Sequence, residues 1–159
     1  MSEKKTADQW FADYDESHQH SANQLIHWVC VPLISFSVLG LTWSVPLPEQ
    51  LIEAAPWFNW TLLALLVVTA CYARLSPRLS AGLAFFLSLC YSALVALELY
   101  ASFPVWKICV TIFVLAWTGQ FIGHKIEGNR PSFCKDVCFL LIGPAWLMSK
   151  IYRRIGQRY

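Results

Sequence analysis

Charge is what this chain has least of. Asp, Glu, Lys and Arg make up 14% of its 159 residues, where a soluble domain carries about a quarter. That is too little to cover a water-facing surface, so a soluble globular class is excluded. The net charge of +2 is uninformative about nucleic acid, and no basic tract suggests it, so no nucleic-acid partner is expected. The first two dozen residues are polar and lack the apolar core and small-residue site of a cleavable signal peptide. The first apolar run is therefore expected to act as its own insertion signal. Paired cysteines are also missing. Of the six, Cys30, Cys71, Cys90 and Cys109 lie in apolar runs, where Cys packs as a small hydrophobic residue. Cys134 and Cys138 sit one helical turn apart with no second pair, so neither a zinc knuckle nor a disulfide framework is indicated.

What fills the chain instead is apolar sequence, 57% of all residues. Runs at 25–45, 54–73 and 79–97 contain no charged residue, and the run at 105–123 is broken only by Lys107 near its start. Each approaches the roughly 20 residues a helix needs to cross a bilayer. The expected fold is all-α: a polytopic membrane helix bundle of four spans, forming a single domain over 1–159. A shorter apolar stretch at 137–149 contains Gly143-Pro144 and is flanked by basic residues. It is expected to form a re-entrant or interfacial hairpin, with a short fifth span as the alternative.

Basic residues near span ends set orientation. Arg74 and Arg78 follow the second run, and Lys125, Arg130 and Lys135 follow the fourth. The connection after the first run holds Glu49 and Glu53 and no Lys or Arg. This pattern puts the N-terminal segment and the connections around 74–78 and 124–135 in the cytoplasm. An inner bacterial membrane is the expected location, or the endoplasmic reticulum in a eukaryote.

Histidine is scarce, yet its placement is not scattered. His18, His20 and His27 fall just before and at the start of the first span, and His124 directly follows the fourth. The topology brings both groups to one membrane surface. Neutral imidazole is a common ligand for iron, zinc and copper. Ser21 and Gln24 have the spacing of a capping box, with Ser21 as the expected N-cap. Asn23 and His27 then share a helix face, as do Gln120 and His124, while His124 and Glu127 stand three apart. Gly128 and Pro131 are expected to end that helix. Each of these residues also has a plain role as an interfacial or helix-tying polar group.

Tyr14, then His18 and Asn23 and His27 at four- and three-residue gaps, then Pro32, resemble the N-terminal signature of a family of small membrane proteins. That family was long catalogued only as a domain of unknown function and is associated with 2-hydroxy fatty acid dioxygenases. These turn phytosphingosine-derived 2-hydroxy acids into odd-numbered chains. Its second signature, Gln-Phe-x-Gly-His followed by an acidic residue, a basic residue and Pro, resembles residues 120–131. The likeness covers roughly 10–152. Gln19 stands where the eukaryotic pattern repeats the first histidine, and the stretch from His124 to Pro131 is one residue shorter.

The resemblance implies an Fe(II)-dependent oxidation that removes one carbon from a 2-hydroxy fatty acid with O2, at a bilayer that also holds the acyl tail. It implies His18, His27 and His124 as metal ligands, with Glu127 and His20 as further candidates. Asn23 and Gln120 would orient imidazoles or the substrate carboxylate, and Arg130 or Lys125 would steer the acid head. Di-iron desaturases and hydroxylases cluster many more histidines than four. The alternative is a non-enzymatic membrane protein, a small carrier or assembly factor with interfacial histidines.

Overall fold

Helix boundaries follow local chemistry along the whole chain, and every described element is a helix. The computed structural model describes residues 5–128 and 138–159. A capping box between Thr6 and Gln9 opens α1, Ala7–Asp15. The longer α2, Ser21–Trp43, carries Pro32 in its interior, and a short α3, Glu49–Ala54, follows Pro48. Asn59 accepts the Leu62 amide at 2.9 Å and starts α4, Trp60–Leu75. Ser76 caps α5, Pro77–Tyr100, with Pro77 at the first helical position, where its missing N–H costs nothing. Pro104 precedes α6, Val105–Glu127, which stops at Gly128 in the left-handed conformation (φ 78°). The last helix, α7, is Cys138–Arg154.

Three of these, α2, α5 and α6, are long and apolar enough to cross a membrane. At 23–24 residues each extends about 35 Å, against a hydrocarbon core of about 30 Å. The run at 54–73 differs from expectation. Ala55 to Asn59 form no helix and α4 begins only at Trp60, because Pro56 and the Asn59 cap break the chain there. At 16 residues α4 reaches about 24 Å. The expected turn at Gly143-Pro144 is also not made, since 138–154 form one helix. Gly143 serves packing instead: a Cβ there would come within 3.2 Å of the Tyr14 hydroxyl and 3.6 Å of Val31. Cys134, Arg130, Pro131 and Lys135 lie outside the described residues.

The α2–α6 pair forms the most extensive helix contact, and small residues allow it. Gly119 and Gly123 lie one turn apart on α6. A Cβ at 119 would meet Cys30 Sγ at 2.7 Å, and one at 123 would overlap Asn23 Oδ1. Around this pair α4 packs on α5, and α7 closes over α1, α2 and α5. Phe11, Tyr14, Val31, Leu79, Leu83 and Trp146 make one core cluster where α1 and α7 meet the long helices. Basic residues gather at that end: Arg78 donates to the Arg158 carbonyl at 2.9 Å, and Tyr152 donates to the Arg78 carbonyl at 2.8 Å.

Candidate metal centre

Three of the four histidines meet at one point. His18 comes from the turn after α1, His27 from the second turn of α2 and His124 from the last turn of α6. All are buried, with 1%, 0% and 3% of their surface exposed. One ring nitrogen from each lies within 4.8 Å of the others. The rings stand roughly perpendicular, with centroids 4.3 Å apart for His18–His27 and 5.0 Å for each pairing with His124.

Hydrogen bonding fixes which nitrogen of two rings is free. His18 Nδ1 lies 2.6 Å from the Tyr14 carbonyl, and His27 Nδ1 lies 2.9 Å from the Asn23 carbonyl. A carbonyl oxygen only accepts, so each Nδ1 carries the proton and each Nε2 presents a lone pair. Those two Nε2 atoms face each other at 2.9 Å. Two lone pairs at that distance repel unless an electrophile sits beside them. Burial, then the neighbouring His27, pushes the His18 imidazole down to about 3, so the ring is uncharged at neutral pH. A shared proton would satisfy both nitrogens only by placing a charged imidazolium in a buried site, whereas a shared metal ion takes both lone pairs as ligands. Two nitrogens each about 2.0–2.1 Å from one ion and at right angles stand about 2.9 Å apart. The third member points the same way: His124 Nδ1 is buried and has no hydrogen-bond partner among the described residues. The donor set therefore fits a first-row divalent metal.

Aromatic and polar neighbours pack around the His18 ring. Tyr14 stacks on His18 with centroids 4.0 Å apart, and Trp146 lies 5.5 Å from the same ring. Trp146 Nε1 donates to Asp15 at 2.8 Å, which ties α7 to the end of α1. Lys150 sits 3.8 Å over the Trp146 ring and 3.7 Å from Asp15. Gln24, the expected capping-box partner, instead donates to the His18 carbonyl at 2.7 Å.

The remaining expected site residues take other positions. His20, not Ser21, is the N-cap of α2, and its Nδ1 accepts the Ala22 amide at 3.2 Å. Its ring is spent on the helix end, outside the three-histidine cluster. Glu127 also stands outside that cluster. Its carboxylate accepts the backbone amides of Gln19 at 2.8 Å and His20 at 2.9 Å and the Asn23 side-chain amide at 3.0 Å. It anchors the segment carrying His18 onto the helix carrying His124. Asn23 is fully buried, and with Nδ2 held by Glu127 its Oδ1 has no partner among the described residues. Gln120 is buried on α6, one turn before His124. Lys125 is exposed one residue beyond His124. Tyr14 and Trp146, which cover His18, carried no signal of this role in the sequence beyond the signature position of Tyr14.

Comparison with curated proteins and with solved structures returns no match. The match to a family comes from residues 4–155, nearly the whole chain, and it is to the model described as 2-hydroxy-palmitic acid dioxygenase Mpo1-like. With the three histidines of both sequence signatures converging on one buried point, this chain belongs to the Mpo1-like family.

Proposed function

We propose that this protein is a membrane-embedded, Fe(II)-dependent dioxygenase that removes one carbon from 2-hydroxy fatty acids. The observation that carries the reading is the pair of unprotonated Nε2 atoms of His18 and His27, 2.9 Å apart beside His124. Three imidazoles would hold the ion and leave positions for other ligands, the pattern of non-haem iron oxygenases. When bound, iron supplies the site for O2 and for the carboxylate and hydroxyl of the substrate. The chain's own residues do the rest. The Tyr14 and Asn23 carbonyls fix the two imidazole tautomers, and second contacts of this kind tune ligand basicity. Glu127 positions His18 and His27 through the backbone and through Asn23. Tyr14 and Trp146 exclude water from one side of the centre.

The bilayer reading follows from α2, α5 and α6 as spans, with α4 as a shorter fourth and α7 lying at the interface. Basic residues from 74–78 and 150–158 gather at the histidine end, so that end faces the cytoplasm. A carrier would place its polar residues near mid-membrane, whereas the imidazole cluster sits at helix ends.

The test is metal analysis of detergent-purified protein beside the His18→Ala, His27→Ala and His124→Ala variants, followed by 2-hydroxypalmitate and O2. Near-stoichiometric iron in the wild type, lost in the variants, with a product one carbon shorter, is the expected result. Absence of iron after anaerobic loading, or full turnover by His124→Ala, overturns it.

A further inference from the structure

The face of α2 that carries His27 continues as an apolar groove. Val31, Ser35 and Val38 follow His27 at steps of four, four and three residues, and so share its side of the helix. Two adjoining cavities of about 80 and 120 Å³ open along this side. Ser35, Leu83, Phe86 and Pro144 line both, so the two form one groove between α2, α5 and α7. From Trp28 to Leu39 it extends about 16 Å along the helix. Its hydroxyls are already committed: Ser35 donates to the Val31 carbonyl at 2.9 Å and Tyr72 to the Leu141 carbonyl at 2.8 Å. The groove therefore offers carbon surface and asks for carbon.

Its upper end, at Trp28 and Val31, lies within one helical turn of His27. Val31 packs beside Gly143 and the Tyr14 hydroxyl, and the Tyr14 ring stacks on His18. The other side of α2 has no such room. There Cys30 is buried against Ala116, and a Cβ at Gly119 would meet Cys30 Sγ at 2.7 Å.

We propose that this groove holds the acyl tail of the substrate, and that Ser35 and Phe86 at its waist set the tail length accepted. The proposal rests on the centre acting on a 2-hydroxy fatty acid. An acid held at C1 and C2 by the histidine centre must lay its tail on a surface that begins beside that centre. The groove starts one turn from His27 and runs away from it through apolar walls. Proline at 144 and the close approach at Gly143 shape the α7 wall without presenting polar groups.

The experiment uses full-length protein in nanodiscs and 2-hydroxypalmitate bearing a diazirine at the tail end, with adducts mapped by mass spectrometry. Adducts are expected within 35–39 and 83–87, competed away by unlabelled 2-hydroxypalmitate. Ser35→Phe narrows the waist and should lower that labelling about tenfold or more, the usual penalty of overpacking. Phe86→Ala widens it and should raise labelling by longer acids, with iron content unchanged in both variants. Adducts spread over outward residues such as Leu66 and Phe85, indifferent to competitor and to both substitutions, mean bilayer-like contact only and overturn the proposal. Turnover with the same chain-length preference in both variants also overturns it, while leaving the dioxygenase reading intact. Competed labelling at the groove without any turnover supports the groove and rejects the dioxygenase reading instead.

Discussion

The two ends of the helix bundle both bury polar groups, and they treat them differently. At the end away from the histidines the polar groups satisfy one another. Thr61 donates to the Leu39 carbonyl at 3.1 Å and lies 3.1 Å from the Thr42 hydroxyl. Ser37 donates to the Ile34 carbonyl at 2.8 Å, and Asn59 bonds the Tyr91 hydroxyl at 3.2 Å. At the histidine end two lone pairs face each other, and Asn23 Oδ1 and His124 Nδ1 are buried without partners among the described residues. Buried polar atoms left open cost stability. The first end is a set of closed ties, and the second is arranged to receive something.

The largest effect that would sharpen this contrast is His124→Ala. Removing one of three imidazoles should cut iron affinity by more than about 100-fold and abolish turnover, read as bound iron after dialysis against a weak chelator. Next is Glu127→Ala, which frees the backbone amides of Gln19 and His20 and the Asn23 amide. A positioning residue predicts iron affinity lower by about 10–100-fold, with iron partly restored by excess metal. Unchanged affinity with only a lower melting temperature would reduce Glu127 to a structural tie. At the closed end, Thr61→Val should cost about 1 kcal/mol in thermal unfolding and leave iron content untouched. Loss of iron there would break the contrast.

A pH series on the iron-free protein sharpens the same point. His18 is held neutral in the fold, down to about 3, mainly by burial, whereas the unfolded chain protonates near the ordinary value of about 6.5. Between these values the unfolded state binds the extra proton, so stability is full above about pH 6.5 and falls as the pH drops toward 3. His18→Ala should flatten that slope in a denaturation series. An unchanged slope would show that the His18 ring is not held as the structure indicates.

Part of this was legible beforehand. The runs at 25–45, 79–97 and 105–123 announced α2, α5 and α6, because about twenty residues with at most one charge near an end have few other uses. His18, His27 and His124 could be paired from topology and from signature spacing. Other features were not legible. Ser21 and Gln24 have capping-box spacing, but His20 takes the cap because Gln24 is drawn to the His18 carbonyl. Gly143-Pro144 reads as a turn, but the helix continues because Tyr14 and Val31 fill the space that Gly143 leaves. The amphipathic α1, with Phe11 and Tyr14 buried, was hidden in a polar segment whose charges outnumber its anchors.

Composition and hydropathy alone determined that the chain forms helices long and apolar enough to cross a membrane, since long uncharged runs favour an apolar solvent. They also determined that its few histidines lie near helix ends. Only the tertiary structure decided which ring nitrogens face each other, that His20 and Glu127 stand outside the cluster, and that an apolar groove runs between α2, α5 and α7. Those outcomes depend on distances of a few tenths of an ångström between segments a hundred residues apart, and local sequence cannot encode them.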